Sequence, residues 1–257
     1  MAFYNPDPAM DQTLAELVRE LADDGRPQLA SELSITWLRY PASLIGRAAA
    51  ADADDKPLCL AGGSWNGERP RYPASVVKLV YLVAAEAWLQ RRLIEDHAEL
   101  RRALADMVRD SSNDATSLVV DLLTGTRSGP ELPPDRLADW SGQRLLVNAW
   151  LEELGWPEWQ GGNACQKTWG DGPYGRERQF YGARLENRNR LSTAFTARLL
   201  EAVIAGALVS PPACERMREL LARSLDPKAR AADPENQVDG FLGEGLGAGA
   251  KIGRAHV

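Results

Sequence analysis

The chain has 257 residues, 44% hydrophobic and 26% charged, with a formal net charge of −6, which suits one large domain or two small ones. Acidic and basic residues are mixed along it, and no Lys/Arg block tracks a phosphate backbone, so nucleic acid is not an expected partner. No apolar run reaches the ~20 residues that span a bilayer. The start, MAFYNPDPAMDQTL, has neither the basic nor the apolar part of a secretory signal, so a cytoplasmic protein away from membranes is expected.

Residues 11–23 place Leu14, Leu17, Val18 and Leu21 at helical spacing and predict an amphipathic helix. Residues 33–40 (LSITWLRY) are rich in β-formers and predict a strand, with a second through Pro57–Ala61. Asp52–Lys56, Gly62, Gly63 and Gly67 punctuate the pair. Residues 75–93 are apolar on almost every face at first, the pattern of a buried helix. A helix over 98–109 follows, then a polar break at Asp110–Asp114, then a helix over 115–123. Residues 125–140 read as a loop and 141–154 as an exposed helix ending near Gly155. The stretch 160–192 is dense in glycine and aromatics, a long loop of the kind that carries function. Its arginines Arg176, Arg178, Arg184, Arg188 and Arg190 are broken up by Glu177 and Glu186, which predicts a solvated surface. Residues 193–207 and 212–224 are helical again. Two strands cannot bury a sheet face alone, so further strands are expected beyond residue 250, and an unpaired edge would invite association of an otherwise monomeric chain.

Two segments carry chemistry. Ser75 and Lys78 lie three residues apart at the start of the buried helix, which puts both side chains on one face, roughly 5–6 Å apart at Cβ. A serine hydroxyl is a weak nucleophile until a base is within reach, and a lysine in a dry helix start loses its proton more readily. Unpaired N–H groups at a helix start can meet charge developing on an acylated carbonyl. The competing reading makes Ser75 a helix cap and Lys78 a surface residue. The second segment, Ser111-Ser112-Asn113, offers hydroxyls and an amide in a turn, or else a plain cap cluster.

Together these segments resemble the class A β-lactamases and penicillin-binding proteins, the SxxK acyl-transfer superfamily. YPASVVK is similar to the family's aromatic-Pro-x-x-Ser-x-x-Lys segment, and SSNDATSLVVDLL to its S-x-N segment with Ser111 and Asn113 on the motif positions. ENRNRLSTAFTARLLEAVIAG resembles the end of the omega loop and the next helix. The resemblance implies an α/β (α+β) fold, an all-α lobe packed on a small antiparallel-sheet α/β lobe with the serine in the cleft between them. In a single catalytic domain over 1–250, the sheet lobe would span about 25–71 and the helical lobe about 72–235. It implies an acyl-enzyme without metal or cofactor, on a small-molecule β-lactam or peptide-like amide. Ser75 would attack, Lys78 would activate it, Ser111 would shuttle a proton and Asn113 would hold the substrate amide.

Departures from the family pattern are specific. Lys78 and Ser111 are only 33 residues apart. Glu177 is the candidate deacylating base, yet Tyr181 stands where that segment carries asparagine. Glu177 reads equally as an ion-pair partner of nearby arginines. Lys167-Thr168-Trp169-Gly170 does not match the K-[TS]-G strand, and Lys251-Ile252-Gly253 lies at the edge of IGRAHV, which reads as translated sequencing adapter. Residues 252–257 are thus expected to be a non-native tail, with the K-[TS]-G lysine beyond it. The absent asparagine and signal peptide favour an alternative, a silent or acylation-only penicillin-binding module. Only His97 and His256 are present and no GxSxG occurs, which argues against a Ser-His-Asp triad. Cys59, Cys165 and Cys214 have no metal-ligand spacing and suit reduced thiols, or one pair and one free thiol.

Overall fold

The computed structural model describes residues 3–45, 61–224 and 226–232. In chain order the elements are β1 (Asn5–Pro6), α1 (Pro8–Asp23), α2 (Leu29–Glu32), β2 (Ile35–Arg39), β3 (Ala61–Trp65), α3 (Val77–Gln90), α4 (Ala98–Arg109), α5 (Asn113–Thr124), α6 (Pro134–Arg144), α7 (Leu146–Glu153), α8 (Gly175–Tyr181), α9 (Thr193–Ala205), α10 (Pro211–Leu221) and α11 (Pro227–Ala231). They fall into two compact units. The first contains the described parts of Met1–Pro73, Asn148–Ala164 and Arg188–Cys214; the second contains Ala74–Val147, Cys165–Asn187 and the described residues from Glu215 on. Residues 148–164 and 188–214, expected in a helical lobe, therefore group with the sheet.

The first unit is built on a three-stranded sheet in the order β1-β3-β2. β2 pairs antiparallel with β3, Ile35 opposite Trp65 and Arg39 opposite Ala61. β1 pairs parallel with β3, so the sheet is mixed rather than antiparallel. At two residues β1 is too short to show the alternation that marks a strand in sequence. α1 buries Met10, Leu14 and Val18, while Leu17, on the predicted apolar stripe, stays exposed. A Cβ on Gly63 would stand 2.8 Å from Met10 Cβ. That glycine, which reads as punctuation, lies inside β3 because α1 passes so close to the strand. The expected strand over Pro57–Ala61 lies outside the described residues except for Ala61, where β3 begins. α9 packs on β2, with Thr36 and Thr193 hydroxyls 2.8 Å apart.

In the second unit α3 is buried on every face from Val77 to Trp88, with α4 and α5 against it. This is the all-round apolar helix the sequence predicts. It carries two charges into the interior, and they are treated differently. Glu86 is paired by Arg101 at 2.6 Å and Arg216 at 2.5 Å. Lys78 forms no ion pair with a carboxylate among the described residues.

Three boundaries differ from the sequence reading. α6 starts at Pro134 inside the expected loop, because proline is well placed in a first helical turn where no N–H partner is needed. The expected exposed helix over 141–154 is the end of α6 plus α7, and it buries Val147, Trp150 and Leu151. The long loop contains α8, whose Gly175 has φ +50°, and a Cβ there would sit 2.1 Å from Gly129 O. Only glycine fits that approach.

Candidate active site

The second unit brings four expected residues together. Ser75 lies in a 3-10 turn, Ala74–Val76, just ahead of α3. The side chain at the N-cap of α3, Val76, makes no capping bond. Ser75 is thus no cap; its hydroxyl accepts a hydrogen bond from Ser111 Oγ at 2.9 Å. Lys78, one turn on, is 2% exposed and does not reach for solvent. Its ammonium donates to Ser111 Oγ at 2.8 Å, to Asn113 Oδ1 at 3.0 Å and to Ser111 O. Lys78 therefore reaches Ser75 through Ser111.

Burial lowers the Lys78 pKa from 10.5 to about 8. Desolvation disfavours the ammonium, and the neutral oxygens around it do not offset this as a carboxylate would. A pocket beside the group is lined by Ser75, Lys78, Ser111, Leu79, Met107, Val108 and Leu221.

Local strain marks the same place. Ala74 and Ser111 have φ of +47° and +54°, the left-handed region that costs a non-glycine residue about 1 kcal/mol or more. Within SSN the roles are divided. Ser112 is the N-cap of α5, accepting from Ala115 N at 3.2 Å. Ser111 and Asn113, on either side, turn to Lys78. The cap reading thus falls on Ser112 alone, while the residues on the family's motif positions contact the lysine.

Glu177 is placed elsewhere. It is buried, and its Oε1 accepts from Arg144 at 2.7 Å and Ser128 at 2.9 Å, with Lys167 Nζ at 3.5 Å. None of its contacts goes to Ser75, Lys78 or Ser111. Its partners are not the neighbouring arginines, of which Arg178, Arg184 and Arg190 are exposed. Lys167 also pairs with Asp121 at 2.8 Å, and burial, the largest influence on Asp121, raises its pKa. Lys167, in the segment that does not match the K-[TS]-G strand, is a buried counter-ion. Arg144, fully buried, had no signal in the sequence beyond a charge in a helix.

His97 is exposed and caps α4, its Nδ1 accepting from Leu100 N at 3.2 Å. Cys165 and Cys214 are buried, their Sγ atoms donating to Asn187 O at 3.4 Å and Leu208 O at 2.7 Å, and Cys59 lies outside the described residues. Among the described residues no group of three or more His, Cys, Asp or Glu side chains could hold a metal, and no helix is long and apolar enough to cross a membrane.

An α/β chain that joins a serine to a buried lysine through a second serine has the make-up of a serine-hydrolase-like protein. A family model described as the Beta-lactamase enzyme family matches residues 87–255, well over half of the chain, and the chain belongs to that family. The match includes Ser111, Asn113 and Glu177 and begins after Ser75 and Lys78. No curated protein and no solved structure matches the chain.

Proposed function

We propose that this protein forms an acyl-enzyme on Ser75 with a β-lactam or a peptide-like amide. The observation that carries the reading is the hydrogen-bonded chain Ser75–Ser111–Lys78, ending on a lysine whose pKa is about 8. Ser75 Oγ attacks the carbonyl carbon. Its proton passes to Ser111 Oγ as the Ser111 proton passes to the neutral Lys78 amine, a relay that needs only the two hydroxyls to rotate. First-turn N–H groups of α3 meet the developing oxyanion. The proton then returns through Ser111 to the leaving nitrogen as the C–N bond breaks. Asn113 gives its carbonyl oxygen to Lys78, so its NH2 group remains to donate to a substrate carbonyl.

A second reading, acylation without turnover, is favoured by one observation: the Glu177 oxygen that accepts hydrogen bonds is already engaged by Arg144 and Ser128. Intact-mass spectrometry after incubation with a reactive penicillin tests both. An adduct on the wild type and none on Ser75→Ala is expected; labelling of Ser75→Ala would reject the nucleophile. Decay of the adduct over time would identify a hydrolase, and persistence a penicillin-binding role.

A further inference from the structure

Ser111 has two tasks in the group just described: its hydroxyl bridges Ser75 and Lys78, and its backbone carbonyl also accepts from Lys78. It does both from a left-handed backbone conformation at φ +54°, a common way for a helix to end but one that glycine usually supplies, because a Cβ is strained there. Something must hold the chain there. The turn leaves α4 at Arg109, and Asp110 N and Ser112 N both donate to Asp106 O, at 3.2 and 3.1 Å. That accounts for the inner side of the turn and leaves the last α4 carbonyls without helical partners.

Arg223 takes them. Its Nη2 donates to Val108 O at 2.6 Å and Arg109 O at 3.2 Å, and its Nη1 donates to Leu220 O at 2.9 Å and Ala222 O at 3.0 Å. One guanidinium thus ties the C-terminal end of α4 to the C-terminal end of α10. A cation at two helix C-termini also sits favourably in both helix dipoles. The two α4 carbonyls it holds belong to the residues immediately before Asp110-Ser111. Val108, whose carbonyl it binds, and Leu221, which lies between the two other residues it binds, line the same pocket as Ser75, Lys78 and Ser111.

We propose that Arg223 is a positioning residue for acylation: it fixes the end of α4 and so keeps Ser111 in line between Lys78 and Ser75. This rests on the acyl-enzyme reading, and the effect is on proton transfer rather than on substrate contact. Arginine is required because its planar fork serves four carbonyls, where a lysine ammonium has three donors on a single point charge.

The test is a double-mutant cycle on the rate of penicillin adduct formation. Arg223→Gln in the wild-type background is expected to slow acylation about 10- to 100-fold, the loss that a misplacement of about 1 Å produces. In a Ser111→Ala background the same substitution is expected to change the residual rate by less than about 2-fold, since the residue being positioned is gone. Equal losses in both backgrounds would overturn the inference, because a general structural defect does not depend on Ser111. Arg223→Lys keeps the charge and serves if Arg223→Gln does not fold. A second measurement stands apart from the chemistry. Amide exchange at Asp110 and Ser112 is expected to quicken in Arg223→Gln while α3 amides are unchanged; unaltered protection at those two amides would overturn the inference even if no penicillin labels Ser75. A wild type without adduct, beside quickened exchange at Asp110 and Ser112, would reject the acyl-enzyme reading and leave the anchoring by Arg223 intact.

Discussion

Lys78 is a costly residue to keep where it is. It is buried, cationic at neutral pH and paired only with neutral oxygens. If it is the base, adduct formation rises with pH through about 8 as the amine loses its proton. A pH-rate profile measured by mass spectrometry checks this, and a flat profile across pH 7–9 would remove Lys78 from that role. Stability carries the same signature. The unfolded lysine titrates near 10.5 and the folded one near 8. Between those values the unfolded chain binds the proton that the folded chain has released, so the contribution of Lys78 to stability improves as pH rises through that window. Below it the folded state bears the full desolvation cost. Lys78→Met is therefore expected to raise the melting temperature at pH 7 by about 2–4 °C, on the order of 1 kcal/mol for a chain of this size. The gap to wild type should narrow as pH approaches 10. Thermal melts at pH 7 and pH 10 measure this, and a gap that widens with pH would contradict it.

At the scale of elements, the buried charges sort α3 and α8 by task. Glu86 on α3 and Glu177 on α8 each hold two cations within 3.5 Å, and each ties helices together. Arg144 is fully buried beside Glu177 at 2.7 Å. Glu177→Gln leaves that guanidinium without its nearest counter-charge and is expected to cost about 3 kcal/mol, the loss typical of breaking a buried pair. Denaturant unfolding gives the number. Adduct formation on Ser75 should persist in this variant below its melting temperature, because no contact of Glu177 reaches Ser75, Lys78 or Ser111. Loss of the adduct in a folded variant would place Glu177 in the chemistry after all.

For the molecule as a whole, the chain order matters more than the element list. The sheet unit recruits Asn148–Ala164 and Arg188–Cys214 from far along the chain. Arg71 pairs with Leu191 through backbone bonds in both directions at 2.9 Å, and α9 packs on β2. A fragment beginning at Ala74 lacks all three strands and strips α9 of that support, which exposes residues such as Phe195 and Leu199 that are buried in the intact chain. Such a fragment is expected to bind a hydrophobic dye and to melt without a sharp transition, whereas the full chain should show one and bind little dye.

Local pattern in the sequence was enough to find most of the longer helices, though not α6 or α8. α4 was legible to the residue, and α1, α5, α9 and α10 nearly so, because 3.6-residue periodicity and polar breaks are local signals. Four of the five residues the sequence singled out are brought together in the fold, since Ser75 and Lys78 share a helix start and Ser111 and Asn113 share a turn; Glu177 is not among them. How they connect emerges in the folded chain: Lys78 meets Ser75 through Ser111, Ser112 is the cap, and Glu177 pairs with Arg144 rather than joining them. Those outcomes depend on which buried groups find partners across contacts up to 36 residues apart. Local pattern carries no term for such contacts. β1 and the glycines of β3 were hidden for the same reason, as their role exists only once a strand and a helix from distant segments meet.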